Sequence, residues 1–185
     1  MERPGAEEPP RIDASLSLAA VALAEGRDGA LDLIWERCAR ELYGLALWRT
    51  GSVADAEDAV QEVFLKLARS PKALLAAARP RAYLLTMAHR AAVDQLRRRR
   101  DRPPEDATLF LAAPLVDPTR TLDGEHASRL VQGLAPKQRT AVFLKLFAGL
   151  TFEEVGRVTG VPTFTAGSRY RLAIGRLRRQ MGVGS

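Results

Sequence analysis

Apolar residues recur every three or four positions along almost all of this 185-residue chain. This spacing places them on one side of an α-helix, whereas a half-buried strand would alternate apolar and polar residues. β-Branched residues are scattered, and no segment carries the alternation typical of a strand. With 46% hydrophobic residues the chain can bury a core. The pattern therefore predicts an all-α protein.

Glycine, proline and capping residues mark the helix ends. Ser52 is a predicted N-cap, Gly51 ends the helix before it, and Cys38 is a predicted core residue. The predicted helices cover residues 16–24, 28–50, 54–69, 81–100, 125–132, 136–147, 151–158 and 163–181, with one or two turns within 72–79. Four prolines without sustained periodicity between residues 101 and 123 indicate a linker. We predict a disordered tail at 1–14, a helical unit at 15–101, a flexible linker at 102–123 and a second helical unit at 124–185.

Positive charge is concentrated in two short segments. Residues 79–102 contain eight arginines and two aspartates, and residues 163–185 contain five arginines and no acid. These segments together exceed the net charge of +6 for the whole chain, so the remainder is acidic. Such clustering is typical of surfaces that contact phosphates.

An acidic segment, Asp55 to Leu67, interrupts this basic chain. On a helix, its apolar residues share one face, and the opposite face carries Asp55, Asp58, Gln61, Glu62 and Leu65. We call these five residues the docking face. A solvated helix surface is the plain interpretation. A leucine among carboxylates instead indicates a surface with an apolar centre and a polar rim, which is typical of a site that binds a protein.

Residues 150–162 predict a helix-turn-helix. Thr151 and Glu154 have the spacing of a capping box, Gly156 is small where two helices cross, and Gly160 suits a left-handed helix end. In the following helix, inward positions are predicted to be Ala166, Tyr170, Ala173 or Ile174, and Leu177. Its exposed N-terminal part would enter the major groove, and the candidate base and phosphate contacts are Thr165, Ser168, Arg169 and Arg171. The alternative is a helical hairpin whose arginines are only solvated.

The helix at residues 81–100 ends in four arginines and carries a stripe of Tyr83, Thr86, Arg90 and Arg97. An aromatic, polar and basic stripe suits unpaired bases stacked beside their backbone. We assign Arg98 to the same surface. Alternatively, Tyr83 is a core residue and the arginines are a solvated helix end.

Several classes of function lack their usual sequence signals. One cysteine and two histidines provide neither a disulfide nor a zinc motif, and no nucleophile, base and phosphate-loop arrangement is visible. No apolar run reaches the roughly 18 residues needed to span a bilayer, and the polar start is unlike a secretory signal. We therefore expect a cytoplasmic, non-enzymatic protein with no metal or cofactor.

The order of these motifs over residues 16–181 resembles the extracytoplasmic-function (ECF) class of bacterial sigma factors, which keep only sigma regions 2 and 4. Asp55 to Leu67 is similar to the family segment that docks on the clamp helices of the RNA polymerase β′ subunit. Pro80 to Arg100 resembles the segment that melts and reads the minus-ten promoter element, and Leu134 to Arg179 resembles region 4, which reads the minus-thirty-five element. Many relatives have T-V-x-S-R where this chain has Thr165-Ala166-Gly167-Ser168-Arg169, and a glycine inside a helix costs about 1 kcal/mol relative to alanine.

The resemblance implies core RNA polymerase, through its β′ and β subunits, and promoter DNA as partners, with an anti-sigma factor as a further one. It assigns residues 15–101 to region 2 and 124–185 to region 4. Two alternatives stay open: a helix-turn-helix regulator that acts without polymerase, and an interaction protein that contacts no DNA. A hydrolase or transferase is the least favoured.

Overall fold

The computed structural model describes residues 9–100 and 130–181, and within them every regular element is a helix. The helices of the N-terminal unit are α1 (Pro9–Ala24), α2 (Ala30–Thr50), α3 (Val53–Arg69), α4 (Lys72–Leu75) and α5 (Pro80–Arg100). Those of the C-terminal unit are α6 (Pro136–Val142), α7 (Phe152–Thr159) and α8 (Thr163–Gln180). The all-α prediction is confirmed for these residues.

The core of the N-terminal unit lies between α2, α3 and α5, with α1 and α4 packed beside them. Ile34, Leu42, Val63, Leu84 and Leu85 are buried there. Helix α5 contacts α1, α2, α3 and α4. Cys38 is buried, as predicted. Burial, and to a smaller extent the charge of Glu41, raises the pKa of its thiol to about 12.

The turn between α2 and α3 follows the predicted signals. Gly51 has φ 73°, a left-handed conformation that glycine adopts without a steric penalty, and its N–H donates to the Leu47 carbonyl. The Ser52 hydroxyl accepts a hydrogen bond from the Asp55 N–H at 3.3 Å. This bond satisfies one of the free N–H groups at the start of α3 and fixes where α3 begins.

In the C-terminal unit, α6 continues without a break into a π-helical segment, Phe143–Phe147. The Ala148 N–H donates to the Phe143 carbonyl five residues earlier, at 3.1 Å. The predicted helix at 136–147 therefore has the right extent, but its last turn is wider than an α-helical turn.

The predicted start of the first helix and the predicted end of the disordered tail are both wrong. Helix α1 begins at Pro9 rather than near residue 16, so residues 9–14 are helical and not part of a disordered tail. Long-range contacts explain the difference: Ile12 packs against the core, and the Asp13 carboxylate accepts a hydrogen bond from the Arg81 N–H at 3.1 Å. Residues 1–8 and the predicted linker at 102–123 lie outside the described residues, as does most of the predicted helix at 125–132, of which 130–132 are helical.

The two units pack directly against each other. Helix α2 contacts α6, and α5 contacts α7. From the sequence we predicted only a tether between the units, because an apolar stripe does not reveal which helix it will cover. Trp48 of α2, for example, packs against Phe143 of the other unit, with ring centroids 5.6 Å apart.

Candidate functional site

The docking face lies on α3, whose opposite side is fixed in the core by Ala56, Val63 and Leu67. Asp58 and Gln61 are exposed, and Leu65 keeps 54% of its surface accessible. The expected arrangement of a leucine between polar side chains is therefore present on a well-packed helix.

Asp55 and Glu62 are less exposed than expected. Their side chains retain 19% and 23% of their surface, because the arginine-rich end of α5 lies beside this edge of α3. Arg99 approaches the Asp55 carboxylate at 3.5 Å, and Arg98 approaches Glu62 at 4.0 Å. We predict from the sequence that all five side chains of the docking face are exposed; Asp55 and Glu62 are instead half-buried, because that prediction considered α3 as an isolated helix.

A groove between α2 and α3 continues the docking face, and the sequence reasoning missed it. It encloses about 430 Å³ and is lined by Trp35, Ala39, Arg40, Tyr43, Glu57, Val60 and Gln61. Trp35 is half-exposed and rests on Phe64, with ring centroids 4.7 Å apart. Burial and the charge of Glu57 raise the pKa of Tyr43. In the sequence, Trp35 falls outside the apolar face of α2, and this position could have indicated an exposed aromatic surface.

The predicted stripe on α5 divides into two parts. Arg90, Arg97 and Arg98 are exposed, and Arg97 forms an exposed pair with Asp94 at 3.7 Å. Tyr83 and Thr86 are half-buried and line a cleft between the two units, together with Ala78, Arg79, Ala82, Glu154, Arg157 and Val158. Tyr83 also packs against the core, as the alternative interpretation expected.

The helix-turn-helix has the predicted local geometry. The Thr151 side chain accepts from the Glu154 N–H at 3.3 Å, and the Glu154 carboxylate accepts from the Thr151 N–H at 2.7 Å. Gly160 has φ 67° at the end of α7. A Cβ on Gly156 would lie 2.7 Å from the Val161 carbonyl oxygen, so glycine is required where the chain turns back against α7.

Helix α8 follows, at the place of the predicted recognition helix. Ala166 and Ala173 are buried, and Tyr170, Ile174 and Leu177 pack against the core, which confirms the predicted inner face. Tyr170 meets Phe152 with ring centroids 5.4 Å apart, so it is a core residue. Of the candidate DNA contacts, Thr165, Ser168 and Arg169 are half-buried and Arg171 is exposed. Phe164 and Leu172 are also exposed, and the sequence reasoning did not single them out.

His89 on α5 is buried, and its Nδ1 atom has no hydrogen-bond partner among the described residues. Burial lowers its pKa to about 4. The positive charges of Arg49, Arg169 and Arg90 add to this effect. The imidazole is therefore neutral near pH 7, and the charge of Arg169 on α8 acts on α5. No group of three metal-ligating side chains occurs within residues 9–100 and 130–181.

The chain matches the family description of sigma-70 region 2 over residues 34–102. It is 30% identical over 179 residues to the ECF RNA polymerase sigma factor SigK of Mycobacterium ulcerans, covering 92% of this chain and 95% of that protein. The chain belongs to the ECF RNA polymerase sigma factors. The SigM sigma factor of Mycobacterium tuberculosis is 31% identical over 173 residues, with 93% of this chain and 86% of that protein covered.

Two solved structures share the fold of this sigma factor. The sigma factor RpoE of Bartonella quintana, crystallised with the anti-sigma factor NepR, superposes with a TM-score of 0.65 at 21% identity, over 83% of this chain and 99% of that one. CnrH, in complex with the cytosolic domain of CnrY, gives 0.64 at 18% identity, over 92% and 99%. The match to ECF sigma factors explains the two helical units.

As an ECF sigma factor, the chain binds core RNA polymerase and directs promoter-specific initiation of transcription. Sigma factors are initiation factors and not enzymes. Within the described residues, none of the helices combines the length and apolar character that crossing a bilayer requires.

Proposed function

We propose that this sigma factor docks on the clamp helices of the polymerase β′ subunit through α3, with Leu65 at the centre and Asp58 and Gln61 around it. The supporting observation is the exposure of Leu65 on a helix whose start is fixed by the Ser52 cap. Apolar side chains at the centre of a contact and polar ones at its rim are the usual anatomy of protein interfaces. The groove beside Trp35 and Tyr43 extends this surface and offers room for partner side chains.

Two arginines of α5, Arg98 and Arg99, lie at the edge of the docking face and form ion pairs with carboxylates of α3. Asp55 and Glu62 neutralise part of the charge of Arg99 and Arg98 in the free protein. The arginines keep 65% and 40% of their side-chain surface accessible and lie 4.0 and 3.5 Å from the carboxylates, so these pairs are weak and are readily exchanged for contacts with the polymerase or with phosphates. We therefore assign Asp55 and Glu62 to the rim of the polymerase contact.

Promoter DNA is the proposed ligand of α5 and α8. In α5, Arg90, Arg97 and Arg98 lie free of the core and suit backbone phosphates, while Tyr83 and Thr86 suit unpaired bases. In α8, the proposed contacts to the duplex are Thr165, Ser168, Arg169 and Arg171. This role requires contact with the polymerase and the chromosome, so we place the protein in the cytoplasm.

An anti-sigma factor is a further proposed partner, because both similar solved structures hold their protein together with another polypeptide, and one of these is named as an anti-sigma factor. Such a partner should compete with core RNA polymerase for this chain. Simultaneous binding of the partner and the polymerase would contradict that role.

The docking proposal is tested by the affinity of the full chain for core RNA polymerase. We expect Leu65→Glu to weaken binding at least 30-fold, because an interface centre that buries a carboxylate without a partner loses about 2 kcal/mol or more. Asp28→Lys is the matched control, since Asp28 is an exposed loop residue outside α3 and the groove. Equal affinities for the two variants would contradict docking through α3.

A further inference from the structure

Phe164, the second residue of α8, keeps 76% of its surface accessible, more than any other large hydrophobic residue in the part of the chain that the structure describes. The other aromatic residues of this helix-turn-helix, Phe152 and Tyr170, are half-buried and meet with ring centroids 5.4 Å apart. An exposed ring contributes little of the hydrophobic free energy that stabilises a core. The ring of Phe164 is therefore available to a partner in the free chain.

The outer face of α8 carries this ring. Ala166 and Ala173 mark the buried face of the helix. At about 100° per residue, Phe164 falls on the opposite side, in one line with Ser168 and Arg171. The Cα–Cβ bond of a helical residue tilts towards the N-terminus, so the ring of Phe164 projects from the N-terminal end of this line. In a helix-turn-helix, the N-terminal residues of the second helix are those that meet base edges.

The backbone that carries Phe164 is held firmly. The Ala166 N–H donates to the Pro162 carbonyl at 3.1 Å, and the Val161 N–H donates to the Gly156 carbonyl at 2.9 Å. The Val161 carbonyl oxygen lies so close to Gly156 that a Cβ there would be only 2.7 Å away. The start of α8 is thus fixed against α7, and a phenyl ring has only two side-chain torsions to immobilise. A contact through Phe164 therefore costs little ordering on binding.

The charge of α8 identifies duplex DNA as the partner of this face. The helix contains five arginines and no acidic residue, and its exposed arginines are Arg171, Arg176, Arg178 and Arg179. Such a surface attracts phosphates and repels basic protein surfaces. A phenyl ring cannot pair with the hydrogen-bonding groups of the base edges. The apolar group that the major groove offers to it is the C5-methyl group of thymine.

We propose that Phe164 is a specificity-determining residue, whose ring reads one thymine of the upstream promoter element through its C5-methyl group in the major groove. This inference rests on the proposed function of α8 as the helix that contacts duplex DNA. It adds an apolar base contact to the polar and basic contacts proposed for Ser168 and Arg171. The preference for thymine at that base pair then depends on Phe164.

Helix geometry limits where this thymine lies. Phe164 and Arg171 are seven positions apart, which is about 10 Å along the axis at about 1.5 Å per residue. Base pairs follow one another at about 3.4 Å, so the thymine is expected about three base pairs or fewer from the contact of Arg171. Covering a group the size of one methylene changes an affinity about fourfold. The expected loss without the methyl group is therefore about fourfold.

Replacing thymine by uracil tests the contact, because it removes the methyl group and keeps the base pair. The probe is a promoter duplex recovered by sequencing transcripts that core RNA polymerase initiates with the full chain. Each thymine of its upstream element is replaced in turn, and the affinity of the complex of full chain and core polymerase is measured. We expect one replacement to lower the affinity about fourfold for the unchanged chain and to have no effect with Phe164→Ala.

Leu18→Ala is the matched control, because Leu18 on α1 keeps 74% of its surface accessible and lies outside α8. This variant should keep the uracil sensitivity of the unchanged chain. A uracil pattern that Phe164→Ala leaves unchanged would overturn the proposal. So would a loss of affinity with Phe164→Ala that is equal for thymine and uracil at every position, since the ring would then contact the DNA backbone or the polymerase.

Arg171→Ala separates this inference from the proposed function. If Arg171→Ala weakens promoter binding while Phe164→Ala leaves the uracil pattern unchanged, only the thymine contact is wrong. If neither substitution affects binding of the upstream element, α8 does not contact the duplex, and the proposed function of this helix is wrong as well.

Discussion

The proposed docking helix α3 and the proposed recognition helix α8 are both amphipathic, but they differ in what surrounds their outer faces. The centre of the docking face, at Asp58, Gln61 and Leu65, is open to solvent. In α8, Arg169 is half-buried and its charge acts on His89 in the other unit. The proposed polymerase surface is therefore open in the free chain, whereas part of the proposed DNA surface, at Tyr83 and Thr86, lies beside the other unit.

The largest effect should come from Gly156→Val, because this substitution disturbs the helix-turn-helix and does not touch α3. The added side chain would meet the Val161 backbone, and we expect the free energy of unfolding to fall by about 3 kcal/mol. Urea denaturation measures this loss. Gly175→Val is the control, because no atom lies within 4 Å of a Cβ at Gly175.

Docking through α3 should survive this substitution under conditions where the N-terminal unit stays folded. If affinity for core RNA polymerase fell as much as promoter binding, α3 would depend on the C-terminal unit for its shape, and the two regions would not be independent.

Acidification should weaken the region where the two units meet. The pKa of His89 is about 4 in the folded chain and 6.5 as its ordinary value. Below pH 6.5 the unfolded chain therefore binds a proton that the folded chain does not, and stability falls as the pH drops towards 4. Between pH 7 and pH 5 we expect a loss of about 2 kcal/mol from this residue.

His89→Phe should remove that part of the pH dependence, and denaturation of both proteins at pH 7 and pH 5 checks it. An identical pH dependence in the two proteins would contradict the assignment to His89.

The smallest effect concerns Gly167 within α8. A Cβ there would lie 3.5 Å from the Arg171 guanidinium and 3.9 Å from the Phe152 ring, which are ordinary contact distances. Gly167→Ala should therefore stabilise the chain by about 1 kcal/mol through helix propensity. Gly175→Ala should give a similar gain without touching Arg171.

If Gly167→Ala alters promoter affinity and Gly175→Ala does not, the space beside Gly167 matters for how Arg171 is presented to DNA. Equal promoter affinities would restrict the role of Gly167 to stability.

Local signals were enough to predict most helix boundaries. The N-cap at Ser52, the left-handed Gly51 and Gly160 and the capping box at Thr151 all depend on neighbours within a few residues. For that reason α3, α7 and α8 begin and end within one or two residues of the prediction.

Contacts between distant residues could not be predicted in the same way. The start of α1 depends on Asp13 binding the Arg81 N–H, and the reduced exposure of Asp55 and Glu62 depends on α5. The assignment of Tyr83 to a DNA surface described a single helix, whereas the structure places it opposite α7. Periodicity gives the face of a helix but not the partner that the face will meet.

The central claim is that α3 joins this sigma factor to the polymerase. Transcription in vitro by core RNA polymerase with the full chain, with sequencing of the transcripts initiated, tests it most directly. We predict transcripts from defined promoters with the unchanged chain and with Asp28→Lys, and at least tenfold fewer with Leu65→Glu. Promoter-specific transcripts at full yield from Leu65→Glu would contradict the account.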